Sequence, residues 1–159
     1  MRYITGLILC CVLTSTSALD CPDMFKARLI LKELSLSLNQ DFCAREVNGE
    51  QLEWIRTTAL PRVMTKEFLG VTPPSNWREF VDEVMVACYH QGDLCTKTVQ
   101  DQFGECVMAR VPTLLFQVGP WMGENCIKLN EAVINKWHQR KPVVMQLINE
   151  YIQKFVPKN

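Results

Sequence analysis

The chain has 159 residues, and its 17 basic and 17 acidic side chains give no net charge at pH 7. This balance offers no overall electrostatic attraction to nucleic acid or to an anionic membrane, so the sequence predicts neither as a partner. The hydrophobic share of 48% suits a chain that folds around a core, and argues against a disordered or low-complexity protein.

Residues 1–18 have the layout of a secretory signal peptide. Arg2 supplies the basic start, Ile4 to Leu13 form a short apolar run, and small residues follow up to Ala18. The run is too short to cross a bilayer, which takes about 20 apolar residues. We therefore expect cleavage after Ala18, and a single secreted, extracellular domain over residues 19–159 with no membrane span.

The first part of this domain predicts two helices and a linker. Asp23 can cap a helix that runs to Asn39 with apolar residues at helical spacing. A second helical pattern runs from Glu50 to Phe68, and Pro61 is expected to kink or split it because proline lacks a backbone donor. The segment "GVTPPSN" that follows is the strongest breaker in the chain.

Helical patterns continue to the C terminus. One covers Trp77–Cys88, and the next is expected to start at a cap on Asp93 and to end near Pro112. The segment "VGPWMGEN" is then expected to break the chain before two final helical patterns, over 127–137 and 144–155. Period-two alternation is too rare to support strands. The sequence thus predicts an all-α, disulfide-braced helical bundle of five or six helices.

Removal of the leader reduces eight cysteines to six. An even number in an exported chain predicts three disulfides, which use Cys21, Cys43, Cys88, Cys95, Cys106 and Cys126. A zinc site is the alternative, but the chain has no CxxC pair and only two histidines. We therefore predict no metal and no cofactor.

Helix geometry limits how these cysteines pair. A helix from Asp23 to Asn39 is about 25 Å long, and the three or four residues after it reach back only about 10–14 Å. Because disulfide Cα atoms lie within about 7 Å, Cys21–Cys43 is excluded, and so is Cys95–Cys106 on one helix. Cys21 and Cys43 must then both bond to the region 88–126. Within that region Cys88–Cys95 is the expected local pair.

The segment "CYHQGDLC" at 88–95 raises the possibility of a catalytic dyad. Secreted phospholipases A2 place a histidine and an aspartate side by side on a helix, near a glycine-rich calcium loop. Here two residues separate His90 from Asp93, and no glycine-rich loop precedes them. The segment is better explained as a turn, and no catalytic residue is predicted.

Three function classes remain. The favoured one is a non-enzymatic secreted protein that binds another extracellular protein or a receptor, in the manner of helical cytokines or of venom and glandular effectors. Tryptophan is enriched at binding hot spots, so the candidate anchors are Trp54, Trp77, Trp121 and Trp137. An extracellular carrier of a small apolar ligand is the alternative, although the Cys-x3-Cys spacing of insect odorant-binding proteins is absent. A phospholipase-type enzyme is a remote third.

Overall fold

We analysed a computed structural model, which describes residues 21–43 and 46–156, with the side chains of the first helix described up to Leu36. The predicted signal peptide lies outside these residues. Within them the chain forms helices and no strand, which confirms the all-α prediction. The six helices are α1 (Met24–Asp41), α2 (residues 49–63), α3 (Lys66–Leu69), α4 (Trp77–Cys88), α5 (residues 97–135) and α6 (Trp137–Phe155).

Both of the first two helices start at polar caps. The Asp23 carboxylate accepts a hydrogen bond from the Lys26 amide, as the sequence predicted. The Asn48 side chain caps α2, which begins at residue 49, one residue earlier than predicted. Pro61 does not split α2, because Ile55–Ala59 forms a π turn immediately before it. The wider hydrogen-bond spacing of this turn accommodates the proline within one continuous helix.

The predicted break before the C-terminal third of the chain is wrong. A single α-helix runs over Lys97–Leu129 with Pro112 and Pro120 inside it, and continues as a π-helical segment, Asn130–Asn135. The apolar spacing of Val111, Leu114, Val118 and Trp121 stays helical through both prolines. The stripe is only half-buried, and the disulfides at Cys106 and Cys126 hold the helix on either side of the two prolines. The chain turns only at Lys136, so α6 begins at Trp137, earlier than predicted.

Three disulfides brace the helices. They join Cys21 to Cys126, Cys43 to Cys95 and Cys88 to Cys106, with Cα atoms 5.5–5.9 Å apart. Both pairs that helix geometry excluded are absent from this set, and α1 is tied at each end to the later chain. The expected Cys88–Cys95 pair is wrong, because Cys88 faces Cys106 on the adjacent helix α5.

Helices α4 and α5 form an antiparallel pair. Cys88 bonds to Cys106, and one turn further along the pair Glu83 on α4 forms an ion pair with Arg110 on α5. Residue numbers therefore decrease along α4 in the direction in which they increase along α5. This order places the start of α4 beside the middle of α5.

The best-packed part of the core lies on α6. Its inner face buries four side chains, and Tyr151 contacts the rings of Phe42, Trp54 and Phe155 at centroid distances of 4.9, 5.9 and 5.1 Å. These contacts bring Phe42, just after α1, and Trp54 on α2 against α6. Aromatic pairs of this kind contribute about 0.5–1.5 kcal/mol each beyond their buried area.

A close backbone approach fixes α3 against the π-helical end of α5. Gly70 ends α3 with φ of +74°, a left-handed conformation that favours glycine. A Cβ atom at this position would lie only 2.4 Å from the Cβ of Ala132. Gly70 is therefore required both for the turn and for the contact between the two segments.

Candidate functional site

An open apolar groove lies between α4, the middle of α5 and the end of α2. It has a volume of about 400 Å³, within the range of about 300–1,000 Å³ that is common for ligand sites. Its lining surface is entirely apolar. The groove is the part of the described structure best suited to take up apolar groups from another molecule.

One wall of the groove comes from α4 and α2. The apolar stripe at the start of α4 points into it, and the end of α2 closes one side; the contributing residues are Leu60, Met64, Trp77, Phe80 and Val81. Pro74 completes this wall, and its carbonyl accepts a hydrogen bond from the Trp77 amide at 3.2 Å. The "GVTPPSN" linker thus forms an ordered rim of the groove.

The other wall is the middle of α5. It presents Val111, Leu114, Leu115, Val118, Trp121 and Met122. Residues 111–123 contain no charged side chain, and Leu115 is 54% exposed although it lines the groove. The apolar surface of the groove therefore continues onto the outer face of α5, beyond the enclosed volume.

The structure brings together two of the four candidate tryptophans. Trp77 and Trp121 line the groove from opposite walls, and the indole N–H of Trp121 donates to the Thr72 carbonyl at 2.9 Å. Trp54 instead packs in the aromatic cluster on α6, and Trp137 donates its indole N–H to Glu33 at 3.0 Å. Trp54 and Trp137 therefore connect helices, whereas Trp77 and Trp121 line the open groove.

Charged groups lie at the edges of the groove and not inside it. The Arg110–Glu83 ion pair joins α5 to α4 near the Cys88–Cys106 disulfide, and neither residue lines the groove. On the far side of α4, Arg56 donates to Glu53 and to Asp82, and these carboxylates raise the pKa of its guanidinium above the ordinary value. The Arg78 guanidinium lies 5.2 Å from the centroid of the Trp77 ring. An apolar ligand could enter the groove without displacing any of these ion pairs.

The segment between Cys88 and Cys95 is a structural turn. Asp93 does not cap α5 as predicted, because that helix begins at Lys97 after Thr96. The Asp93 carboxylate instead accepts hydrogen bonds from the amides of Val47 and Cys95, at 2.8 and 2.9 Å. These bonds position the chain beside the Cys43–Cys95 disulfide, and His90 lies exposed in the same turn.

Sequence reasoning identified the two groove tryptophans but missed Leu115, Met64 and Met122. The signal that points to Leu115 and Met122 is the helical spacing of apolar residues across Pro112 and Pro120, which the prolines were expected to end. Met64 belongs to the predicted apolar pattern over Glu50–Phe68, but its place in the groove depends on how α2 packs against α4.

Among the residues that the structure describes, no helix is long and apolar enough to cross a membrane. The same residues include no cluster of three or more His, Cys, Asp or Glu side chains arranged to hold a metal ion. Comparison of the chain with protein-family models, with curated proteins and with solved structures finds no match.

Proposed function

We propose that this chain is a secreted helical protein that acts by binding another extracellular protein, without catalysis. The groove between Trp77 and Trp121 is its contact surface, and the apolar face of a helix on the partner is what it binds. The observation that carries the proposal is the entirely apolar groove, open along α5. The three disulfides support an extracellular setting, where such bonds persist.

The lining of the groove favours a helix as the bound element. A peptide backbone that enters an apolar groove must have its own N–H and C=O groups satisfied, since leaving them unpaired costs several kcal/mol. An α-helix satisfies them internally and presents only side chains. Recognition of a helix in an apolar groove is a recurrent mode of protein binding.

A carrier of a small apolar ligand is the second candidate. The volume of the groove and the flexible side chains of Met64 and Met122 favour it. Ligand sites, however, commonly enclose 70–90% of a small molecule. The exposed continuation over Leu115 suits an extended partner better than an enclosed ligand.

Selection of displayed helical peptides against the secreted, oxidised chain tests the proposal. We expect the selected sequences to carry large apolar residues at helical spacing, and Trp121→Ala to weaken their binding about thirtyfold, which is typical of a tryptophan hot spot. Leu31→Ser, on an exposed face of α1 outside the groove, is the matched control and should leave binding unchanged.

Two results would count against this function. Peptides that bind equally well to the Trp121→Ala chain are not held by the groove. The other result is that no helical peptide is selected, while the wild type binds a fatty acid or an apolar dye stoichiometrically and the Trp121→Ala chain does not. That result would assign the groove to a carrier.

A further inference from the structure

Helix α1 is apolar on two sides, and only one of them is covered. Its inner side, with Ala27, Ile30 and Leu34, faces the rest of the protein. On its outer side five large side chains are 53–73% exposed; they are Met24, Phe25, Leu29, Leu31 and Leu36. A contiguous group of exposed apolar side chains ordinarily marks an interaction site. The outer side of α1 therefore needs an occupant.

The charges of α1 separate between these two sides. At 100° per residue, the five exposed apolar residues span an arc of about 160°, which we call the outer arc. Within it lie Arg28, Lys32 and Ser35, all exposed, and no acidic residue up to Leu36. Glu33 lies on the inner side, where it accepts hydrogen bonds from Trp137 and Lys141. The outer arc is therefore apolar and cationic.

This charge pattern decides between possible occupants. Two copies of the chain that packed through the outer arc would bring Arg28 and Lys32 against their own counterparts, and like charges at short distance repel. An anionic surface attracts the same two cations. The outer arc is also a convex surface formed by one helix. Such a surface suits a flat, fluid bilayer better than a protein partner that inserts a protruding apolar side chain.

We propose that the outer arc of α1 is a docking surface for an anionic lipid bilayer. The helix lies in the plane of the membrane, its apolar side chains enter the boundary between headgroups and acyl chains, and Arg28 and Lys32 contact lipid phosphates or carboxylates. The whole chain carries no net charge. The attraction arises from the local separation of charge on α1, which composition alone does not reveal.

The disulfides prepare this surface in advance. Cys21 at the start of α1 bonds to Cys126, and Cys43 just after its end bonds to Cys95. The helix is therefore formed before it meets a bilayer, and binding does not bear the entropy cost of folding that a free peptide has.

Co-sedimentation of the secreted, oxidised chain with phosphatidylcholine vesicles, with and without phosphatidylserine, tests the proposal. We expect binding only to the vesicles with phosphatidylserine, and weaker binding as salt is raised. The double variant Arg28→Gln/Lys32→Gln should bind about thirtyfold more weakly, since each cation near an anionic surface contributes about a factor of five. Leu29→Ser/Leu31→Ser should also lose binding.

Val86→Ser, on the exposed face of α4 outside the groove, is the matched control and should bind vesicles as the wild type does. All these positions are exposed, so the variants should keep the wild-type unfolding midpoint. Absence of binding to the anionic vesicles, or equal binding by the Arg28→Gln/Lys32→Gln chain, would overturn the proposal. So would binding to polyglutamate in place of vesicles, which would assign the arc to an acidic protein.

Discussion

Helices α5 and α6 are both rich in apolar residues, but only α6 is packed. Over Trp137–Phe155, α6 buries Leu147, Ile148, Tyr151 and Phe155. Over Lys97–Leu129, the longer helix buries no residue, and Phe116 on its surface is 86% exposed. Apolar content therefore does not determine burial in this protein. The number of neighbouring helices that reach each surface determines it.

The two helices are also held in different ways. Helix α6 contacts α1 and α2 through aromatic rings and through the Lys141–Glu33 and Arg62–Glu150 ion pairs. The α5 rod is bound covalently at two points, Cys106 and Cys126. Between these two cysteines, α5 contacts α4 on one side and is exposed on the other. Disulfides can therefore hold a helix in place while its apolar surface stays exposed and available for binding.

The largest effects are expected from removal of these covalent bonds. Cys21→Ala/Cys126→Ala opens a loop with a sequence separation of 105, which is worth about 5 kcal/mol in the chain-entropy description. Cys88→Ala/Cys106→Ala opens one of 18, worth about 3 kcal/mol. Denaturant unfolding followed by circular dichroism measures both. Equal losses, or the reverse order, would contradict the view that the long crosslink dominates.

Alanine substitution of one leucine on each helix should give losses of stability of intermediate size and clearly different from each other. Leu147→Ala should lower the free energy of unfolding by about 2–4 kcal/mol, because the residue is 7% exposed and its loss leaves a cavity. Leu115→Ala removes the same atoms from a residue that is 54% exposed and should cost less than about 1 kcal/mol. Similar losses in the two variants would show that the middle of α5 is packed in solution.

The smallest expected effect concerns the acid stability of the α1–α6 contact. Hydrogen bonds from Lys141 and then Trp137 lower the pKa of Glu33 from its ordinary value of 4.5. A lowered pKa in the folded state stabilises the fold above about pH 4.5, and this contribution disappears as the pH falls through the folded-state value. Glu33→Gln should therefore lower the unfolding midpoint by a few degrees at most at pH 7, and by progressively less as the pH falls below 4.5. A difference that does not shrink as the pH falls below 4.5 would contradict this assignment.

The sequence predicted those parts of the fold that local signals determine. Helix α4 has the predicted bounds, and α1 starts at its Asp23 cap. The continuous helix α5 was missed because Pro112 and Pro120 are strong local breakers, and the disulfides that hold it on either side of them depend on the folded arrangement of the chain. Trp77 and Trp121 could be predicted as candidate anchors from residue type alone. Their meeting in one groove could not be predicted, because it depends on the antiparallel pairing of α4 with α5.

We propose that the open apolar surface of α5 serves binding and not stability, and the Leu115→Ser variant separates these two roles. One titration with a helical peptide selected on the wild type, together with one thermal unfolding scan, gives both quantities for the same sample. We predict that the affinity for the peptide falls at least tenfold while the unfolding midpoint stays within about 2 °C of the wild type. An unchanged affinity, or a midpoint lowered as far as in Leu147→Ala, would contradict the claim.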